Sequence, residues 1–155
     1  MKFEFSAGGV VYKHEEPQNG TRRTTKILVA QHSQHHGWVF PKGLIDKKES
    51  GIRNHESRRE TKEDAALREV KEETGINGKI IKPLTPVTYW YAFQQEKIKK
   101  TVYYFLMEYL SGDTKDHDFE MENVEWLSMD EVEERLTYPS DKKIWEEAMK
   151  MIESI

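Results

Sequence analysis

Arg68-Glu69-Val70-Lys71-Glu72-Glu73-Thr74-Gly75-Ile76 is the stretch on which the reading of this chain turns. On a helix, Glu69, Glu72 and Glu73 are related by three and four residues, so three carboxylates project from one side of two turns. Their repulsion costs roughly 0.2–0.5 kcal/mol per like-charge pair on an exposed helix, and a helix selected for stability alone would interleave more lysine. A hard divalent cation, Mg²⁺ or Mn²⁺, resolves the conflict, because it prefers oxygen ligands and keeps positions open for water and phosphate. Arg68 is placed to orient one carboxylate through a bidentate pair. The competing reading is a solvated acidic helix face, the usual fate of a charge run.

Outward from this stretch, Thr61 with Asp64 three positions on reads as a helix start. Ala65, Ala66, Leu67 and Val70 supply one apolar face, and Gly75 ends the helix at C′, which predicts a helix over 61–74. Upstream, Phe3–Tyr12 mixes aromatic and β-branched residues around Ala7-Gly8-Gly9, where the glycines mark a bulge or a close backbone approach. Lys26–Gln31 is a second, more buried strand, and the polar stretch 15–25 between them suits a long hairpin loop. Trp38–Phe40 is a short strand, and Lys42–Arg59, polar and without period, reads as loop.

Downstream, Lys79–Ile81, Val87–Phe93 and Lys100–Tyr109 read as strands, the last two paired through a turn at 94–99. Val124–Leu127 is a strand, Ser128–Glu131 a capping box, and 140–155 an amphipathic helix with Ile144, Ala148, Met151, Ile152 and Ile155 on one face.

With 155 residues the chain is sized for one domain, 1–155, and its four Trp, seven Tyr and six Phe argue for a packed core despite 34% charged residues. The absence of cysteine excludes a disulfide framework, a thiolate zinc site and a cysteine nucleophile, so any metal is held by oxygen or imidazole. No apolar run approaches the roughly 18 residues of a membrane span and no signal peptide is visible, which predicts a cytoplasmic protein without a membrane partner. The net charge of −4 argues against a non-specific nucleic-acid binder, but it is unevenly spread. Residues 113–134 carry −9, whereas 79–101 carry +4.

The stretch Arg68–Ile76 resembles the core of the Nudix box, whose pattern is G-x5-E-x7-R-E-U-x-E-E-x-G-U with U aliphatic. All of R-E-U-x-E-E-x-G-U is matched, and Glu60 stands seven residues before Arg68. Trp38-Val-Phe-Pro-Lys-Gly43 resembles the entry to the box, yet 16 residues separate Gly43 from Glu60 where the pattern has five. An insertion therefore occupies about 47–59. Glu49 keeps the spacing from Gly43, but Glu60 keeps the spacing to the helix and is favoured as the first box glutamate. The insertion, with Arg53, Arg58 and Arg59, either borders the site or extends into solvent.

The resemblance implies an α+β fold of Nudix type: an α/β/α sandwich with a mixed central sheet, a box loop and helix, and a C-terminal helix. It also implies cleavage of a pyrophosphate bond with Mg²⁺ (or Mn²⁺) held by Glu69, Glu72, Glu73 and the Gly43 carbonyl. Over nearly the whole chain the resemblance extends to bacterial asymmetric diadenosine tetraphosphate hydrolases, through Phe5–Val11, Tyr89-Trp-Tyr91, Lys100–Tyr104 and Tyr138–Ala148. That implies conversion of a dinucleoside polyphosphate to ATP and AMP.

Lys100 and Lys42 are then phosphate contacts, Tyr91 and Tyr138 the rings between which adenine stacks, and His36 or its neighbour His35 a donor to the phosphate chain. The general base is Glu69 inside the box or Glu120 in the acidic segment, with Glu122 as second choice there. Arg68 belongs to the catalytic set. Other substrates of the same class, an RNA 5′-pyrophosphate or a diphosphoinositol polyphosphate, would use the basic insertion and dispense with stacking tyrosines. A nucleotide-sensing module without catalysis is the alternative outside enzymes. The partner is a small nucleotide, nucleic acid being expected only as an RNA 5′ end, and the protein is a monomer or a homodimer.

Overall fold

The computed structural model describes residues 1–17, 19–20, 22–46 and 60–155. Among these residues eight strands form one mixed sheet: β1 Lys2–Glu15, β2 Thr24–His32, β3 Trp38–Val39, β4 Lys42–Leu44, β5 Ile76–Pro83, β6 Val87–Phe93, β7 Glu96–Gly112 and β8 Met121–Ser128. The helices are α1 Lys62–Thr74, the single turn α2 Val132–Arg135 and α3 Pro139–Glu153. The backbone of the sheet is β3-β2-β1-β7-β5, with β4 on β1, β6 on β7 and β8 on β2. β1 and β7 run parallel from Lys2↔Ile98 to Tyr12↔Glu108, and the other pairs are antiparallel.

Alternate residues of these strands serve two cores, as the two-residue period requires. Val10, Tyr12, Tyr104 and Leu106 pack against Ile144, Trp145 and Ala148 of α3. Ala7, Val11, Phe105 and Met107 pack against Ala65, Ala66 and Val70 of α1. The expected sandwich of a mixed sheet between helices is therefore present. Among the described residues no helix is long and apolar enough to cross a membrane.

The box helix begins and ends on the anticipated side chains. Thr61 Oγ1 accepts the Asp64 N–H at 3.0 Å, and Gly75 adopts φ 80°, its N–H donating to the Lys71 carbonyl. A side chain at Gly75 would meet the Asp113 carbonyl at 2.2 Å, so conformation and space both call for glycine here. The capping box at Ser128 is also formed, with Ser128 N–H donating to Glu131 Oε1 at 3.2 Å.

Two expectations need correction. Lys42–Leu44, read as loop, is a strand paired with Gly8, Ala7 and Ser6; Gly43 at its centre and its length of three residues hide any β pattern. The turn expected at 94–99 contracts to Gln94-Gln95, both with positive φ (49° and 64°), and the ladder resumes at Phe93↔Glu96. Positive φ at both positions is the two-residue hairpin geometry that matches strand twist, and the lysines of 97–100 mask the strand that follows. The predicted insertion, with Glu49, Arg53, Arg58 and Arg59, lies outside the described residues.

Candidate active site

β4 and the second half of α1 bring the box residues together. The Lys42 backbone N–H donates to Glu73 Oε1 at 3.2 Å. Gly43 sits directly over Glu69: a Cβ there would lie 2.1 Å from its Cδ and Oε2. Glycine is required at this position because a carboxylate fills the space of the missing side chain. Arg68 organises the remainder. Its Nε and Nη2 donate to Glu60 at 2.7 and 2.9 Å, its Nη1 to Glu69 at 2.8 Å and to Glu72 Oε2 at 3.2 Å, and its Nη2 to the Leu44 carbonyl at 3.1 Å. One guanidinium thus ties three box glutamates to β4.

The charges are unevenly compensated. Glu60 is held below the usual carboxylate range by its hydrogen bond from Arg68. Burial pushes Glu69 up, against the pull of Arg68, and pushes Glu73 up to about 9, with the Glu69 charge adding to it. Two buried carboxylates that resist ionisation side by side are oxygen donors short of positive charge. Among the described residues no three acidic or histidine side chains already converge as a cage, because Arg68 engages Glu69 and Glu72. The donor chemistry, all oxygen and partly buried, fits a hard divalent cation.

The segment 113–120 is docked on this centre by two backbone bonds: Asp118 N–H to the Glu72 carbonyl, and Ser33 N–H to the Glu120 carbonyl, both 2.9 Å. It brings Glu120 close enough for its charge to raise both Glu69 and Glu73. Glu122 is instead paired with His36 Nδ1 at 2.5 Å, and His36 occupies a left-handed backbone position with φ 60°.

A cleft of about 550 Å³ opens beside β4, lined by His35, Lys42, Tyr89, Tyr104, Tyr138 and Asp141 among others. Tyr138 caps α3 from outside, followed by Pro139 at its first position, and its hydroxyl lies 2.9 Å from His35 Nδ1. The Gly37 N–H also donates to that nitrogen at 3.0 Å, which leaves Nε2 to carry the imidazole proton. His35 is stacked on His32 with ring centres 4.2 Å apart, and burial together with the neighbouring His32 and Lys42 keeps its pKa low.

Of the two adjacent histidines, His35 is the one in the cleft. Of the two tyrosines on β6, Tyr89 lines it, while Tyr91 donates to Glu4 Oε1 at 2.5 Å, and that bond moves its phenol up to about 12. Lys100 pairs in register with Tyr89 and Glu4, and burial and the nearby Lys42 lower its pKa, as expected for an ammonium in a cationic groove.

Asp141 was not singled out by the sequence. It is 3% exposed, lies within reach of the Tyr104 hydroxyl, and burial raises its carboxyl. An acidic residue in the first turn of a helix reads as ordinary compensation of the helix dipole, which conceals such a role.

Comparison with known proteins follows the same lines. The NUDIX domain family model matches residues 17–148. The chain is 32% identical over 155 residues to "Putative mutator protein MutT4" of Mycobacterium tuberculosis, covering 98% of this chain and 57% of the relative. It is 29% identical over 142 residues to "8-oxo-(d)GTP phosphatase" of Mycolicibacterium smegmatis, covering 90% of this chain and 39% of that one. The chain thus spans about half the length of the first of these relatives and less of the second. Among solved structures, a C. elegans Ap4A hydrolase binary complex superposes with a TM-score of 0.68 at 22% identity, covering 98% of this chain and 99% of that one, a likeness of fold.

Proposed function

The chain belongs to the NUDIX domain family, and on that premise we propose that it is a Mg²⁺-dependent pyrophosphohydrolase of dinucleoside polyphosphates, converting diadenosine tetraphosphate to ATP and AMP. One observation carries the reading. Lys42 belongs to two places at once, its backbone N–H bonded to Glu73 and its side chain lining the aromatic cleft. A nucleoside seated between Tyr89 and Tyr138 therefore directs its phosphates along Lys42 and Lys100 onto the carboxylates.

In this reading Glu69, Glu72, Glu73 and the Gly43 carbonyl would hold Mg²⁺. When bound, the ion supplies the positive charge that offsets the phosphates and acidifies a water. The side chains do the rest. Tyr89 and Tyr138 orient the base by stacking, worth roughly 1–3 kcal/mol per base. Lys42 and Lys100 neutralise and align the phosphate chain, and His35 offers its Nε2–H to it. Glu69 is the first candidate to accept a proton from the attacking water, and Glu120 is the second. Arg68 holds the box glutamates in position. The water oxygen bonds to phosphorus as the P–O–P bridge breaks, and the bridging oxygen leaves with the other product.

A second reading, hydrolysis of an oxidised purine nucleoside triphosphate, is favoured by the name of one sequence relative, 8-oxo-(d)GTP phosphatase, and by Asp141, since a hydrogen-bonding group in the cleft exceeds what stacking needs. Steady-state kinetics with Mg²⁺ and product identification separate the two. Diadenosine tetraphosphate should yield ATP and AMP with a kcat/KM above that for 8-oxo-dGTP. The reverse order selects the second reading, and binding without products selects a sensor.

A further inference from the structure

Below its pairing with β4, β1 has an edge that no other described strand pairs with. The Phe5 carbonyl accepts from Ile45 N–H and Gly9 N–H donates to the Pro41 carbonyl, so odd-numbered residues of β1 direct their backbone groups toward the β4 side. Phe3 follows that alternation, and among the described residues no backbone group meets its N–H and C=O on this side. The chain turns away just there, because Asp46 and Glu60 bond to each other instead. What remains is a notch of about 890 Å³ lined by Phe3, Phe5, Leu44, Ile45 and Tyr103 together with charged residues, Asp46 and Lys62 among them. Phe3, Phe5 and Leu44 are each about half exposed (49, 45 and 52%). Free strand edges flanked by apolar side chains are templates for an added strand.

We propose that this edge is a homodimer interface, in which a second copy adds the start of its own β1 antiparallel, centred on Phe3 facing Phe3 and confined to Lys2–Glu4, because Ile45 already holds the position opposite Phe5. The occupant follows from charge and pattern. Around that centre, Lys2 of one copy stands opposite Glu4 of the other, and the reciprocal pair forms by symmetry, so the sequence Lys-Phe-Glu is complementary to itself only in this register. The two Phe3 residues become a pair that exchanges both backbone hydrogen bonds. Phe3 and Phe5 of each copy then lie on the sheet face shared with Tyr103, while Lys2 and Glu4 lie on the other. Glu4 keeps one carboxylate oxygen for this contact, since only Oε1 is taken by Tyr91. The insertion at 47–59 is a poor alternative occupant: it has seven charged residues and one large apolar one, Ile52.

Sedimentation equilibrium of the full chain tests the proposal, independently of any substrate. The wild type should self-associate to a dimer, Lys2→Glu should weaken association about tenfold or more by setting like charges opposite each other, and Lys2→Glu/Glu4→Lys should restore it. Phe3→Pro, which removes a donor that β7 does not use, should leave a folded monomer by circular dichroism. A dimer indifferent to Lys2→Glu, or a wild type monomeric across the micromolar range, overturns the proposal. A variant lacking 47–59 that dimerises where the wild type does not overturns it too, and assigns the edge to the insertion.

Discussion

Replacing Gly43 by alanine should silence the site while leaving the fold standing. The new Cβ would lie 2.1 Å from Cδ and Oε2 of Glu69 and 2.4 Å from Oε1, whereas carbon in contact needs about 3.5 Å, so the carboxylate must retreat by more than about 1 Å. Nothing else obliges the backbone to move: Gly43 is not among the residues with positive φ, and the atoms in the way are the far end of a side chain. The stability cost should sit at the low end of overpacking, about 1 kcal/mol. In a chain of this size that lowers Tm by about 2–4 °C. Activity should suffer far more, because a group displaced by 1 Å costs on the order of a hundredfold. Gly8→Ala is the matched control: its Cβ would meet the Pro41 carbonyl at 2.2 Å and Lys42 Cα at 2.9 Å, which are backbone, so it should lower Tm more than Gly43→Ala does. The assay is kcat with Mg²⁺ beside a thermal melt for each variant. A Gly43→Ala enzyme with unchanged kcat would refute the assignment of Glu69 to the reacting centre.

Three further outcomes follow from the same geometry. Tyr89→Ala should raise KM for diadenosine tetraphosphate by about ten- to a hundredfold, the worth of one stacked base, and Tyr91→Ala much less; steady-state kinetics in which Tyr91 matters more would move the base out of the cleft. Glu73→Gln should reduce turnover at least a hundredfold, in line with loss of one transition-state contact, yet keep or raise Tm, because it removes a carboxylate that burial penalises when ionised. Mg²⁺ should raise the Tm of the wild type and have a smaller effect on this variant, as differential scanning fluorimetry would record. For His35, burial lowers the pKa below its ordinary value of 6.5, so the folded state disfavours the imidazolium. Its contribution to stability is complete above 6.5 and lost as pH falls through that value toward the folded one. Wild-type Tm should therefore drop more steeply than that of His35→Gln between pH 7 and 5, and parallel curves would exclude the effect.

The helix with its caps and the register of its glutamates were legible because they depend on local chemistry: Thr61, Gly75 and the 3.6-residue period act within one element. The hairpin of β6 and β7 was half legible, since its turn rests on positive φ at two glutamines, residues that do not advertise it. The site divides the same way. Arg68, Glu69, Glu72 and Glu73 share one helix face, and the structure sets them beneath Lys42 and Gly43. The choices between neighbours were not legible. Which of His35 and His36 enters the cleft depends on a left-handed turn at His36 and a bond from Tyr138, 103 residues away from His35. Tyr89 and Tyr91 point to the same face of β6, and only their distance along the strand separates a cleft wall, near Lys42 and Asp141, from a partner of Glu4. Asp141 is hidden for a similar reason: the hydroxyl that reaches it is that of Tyr104, on a strand far away in sequence.

Asp46 and Glu60 are joined by a backbone bond of 3.2 Å and by a side-chain bond of 3.1 Å, so the chain on either side of the insertion is fastened together before the box helix starts. Length added between two clasped points costs little, about 0.6 kcal/mol per doubling, for as long as the clasp holds. The clasp makes 47–59 a candidate graft point for a reporter peptide or an affinity tag, on the condition that Glu60, whose Oε1 also accepts from Arg68, keeps its place.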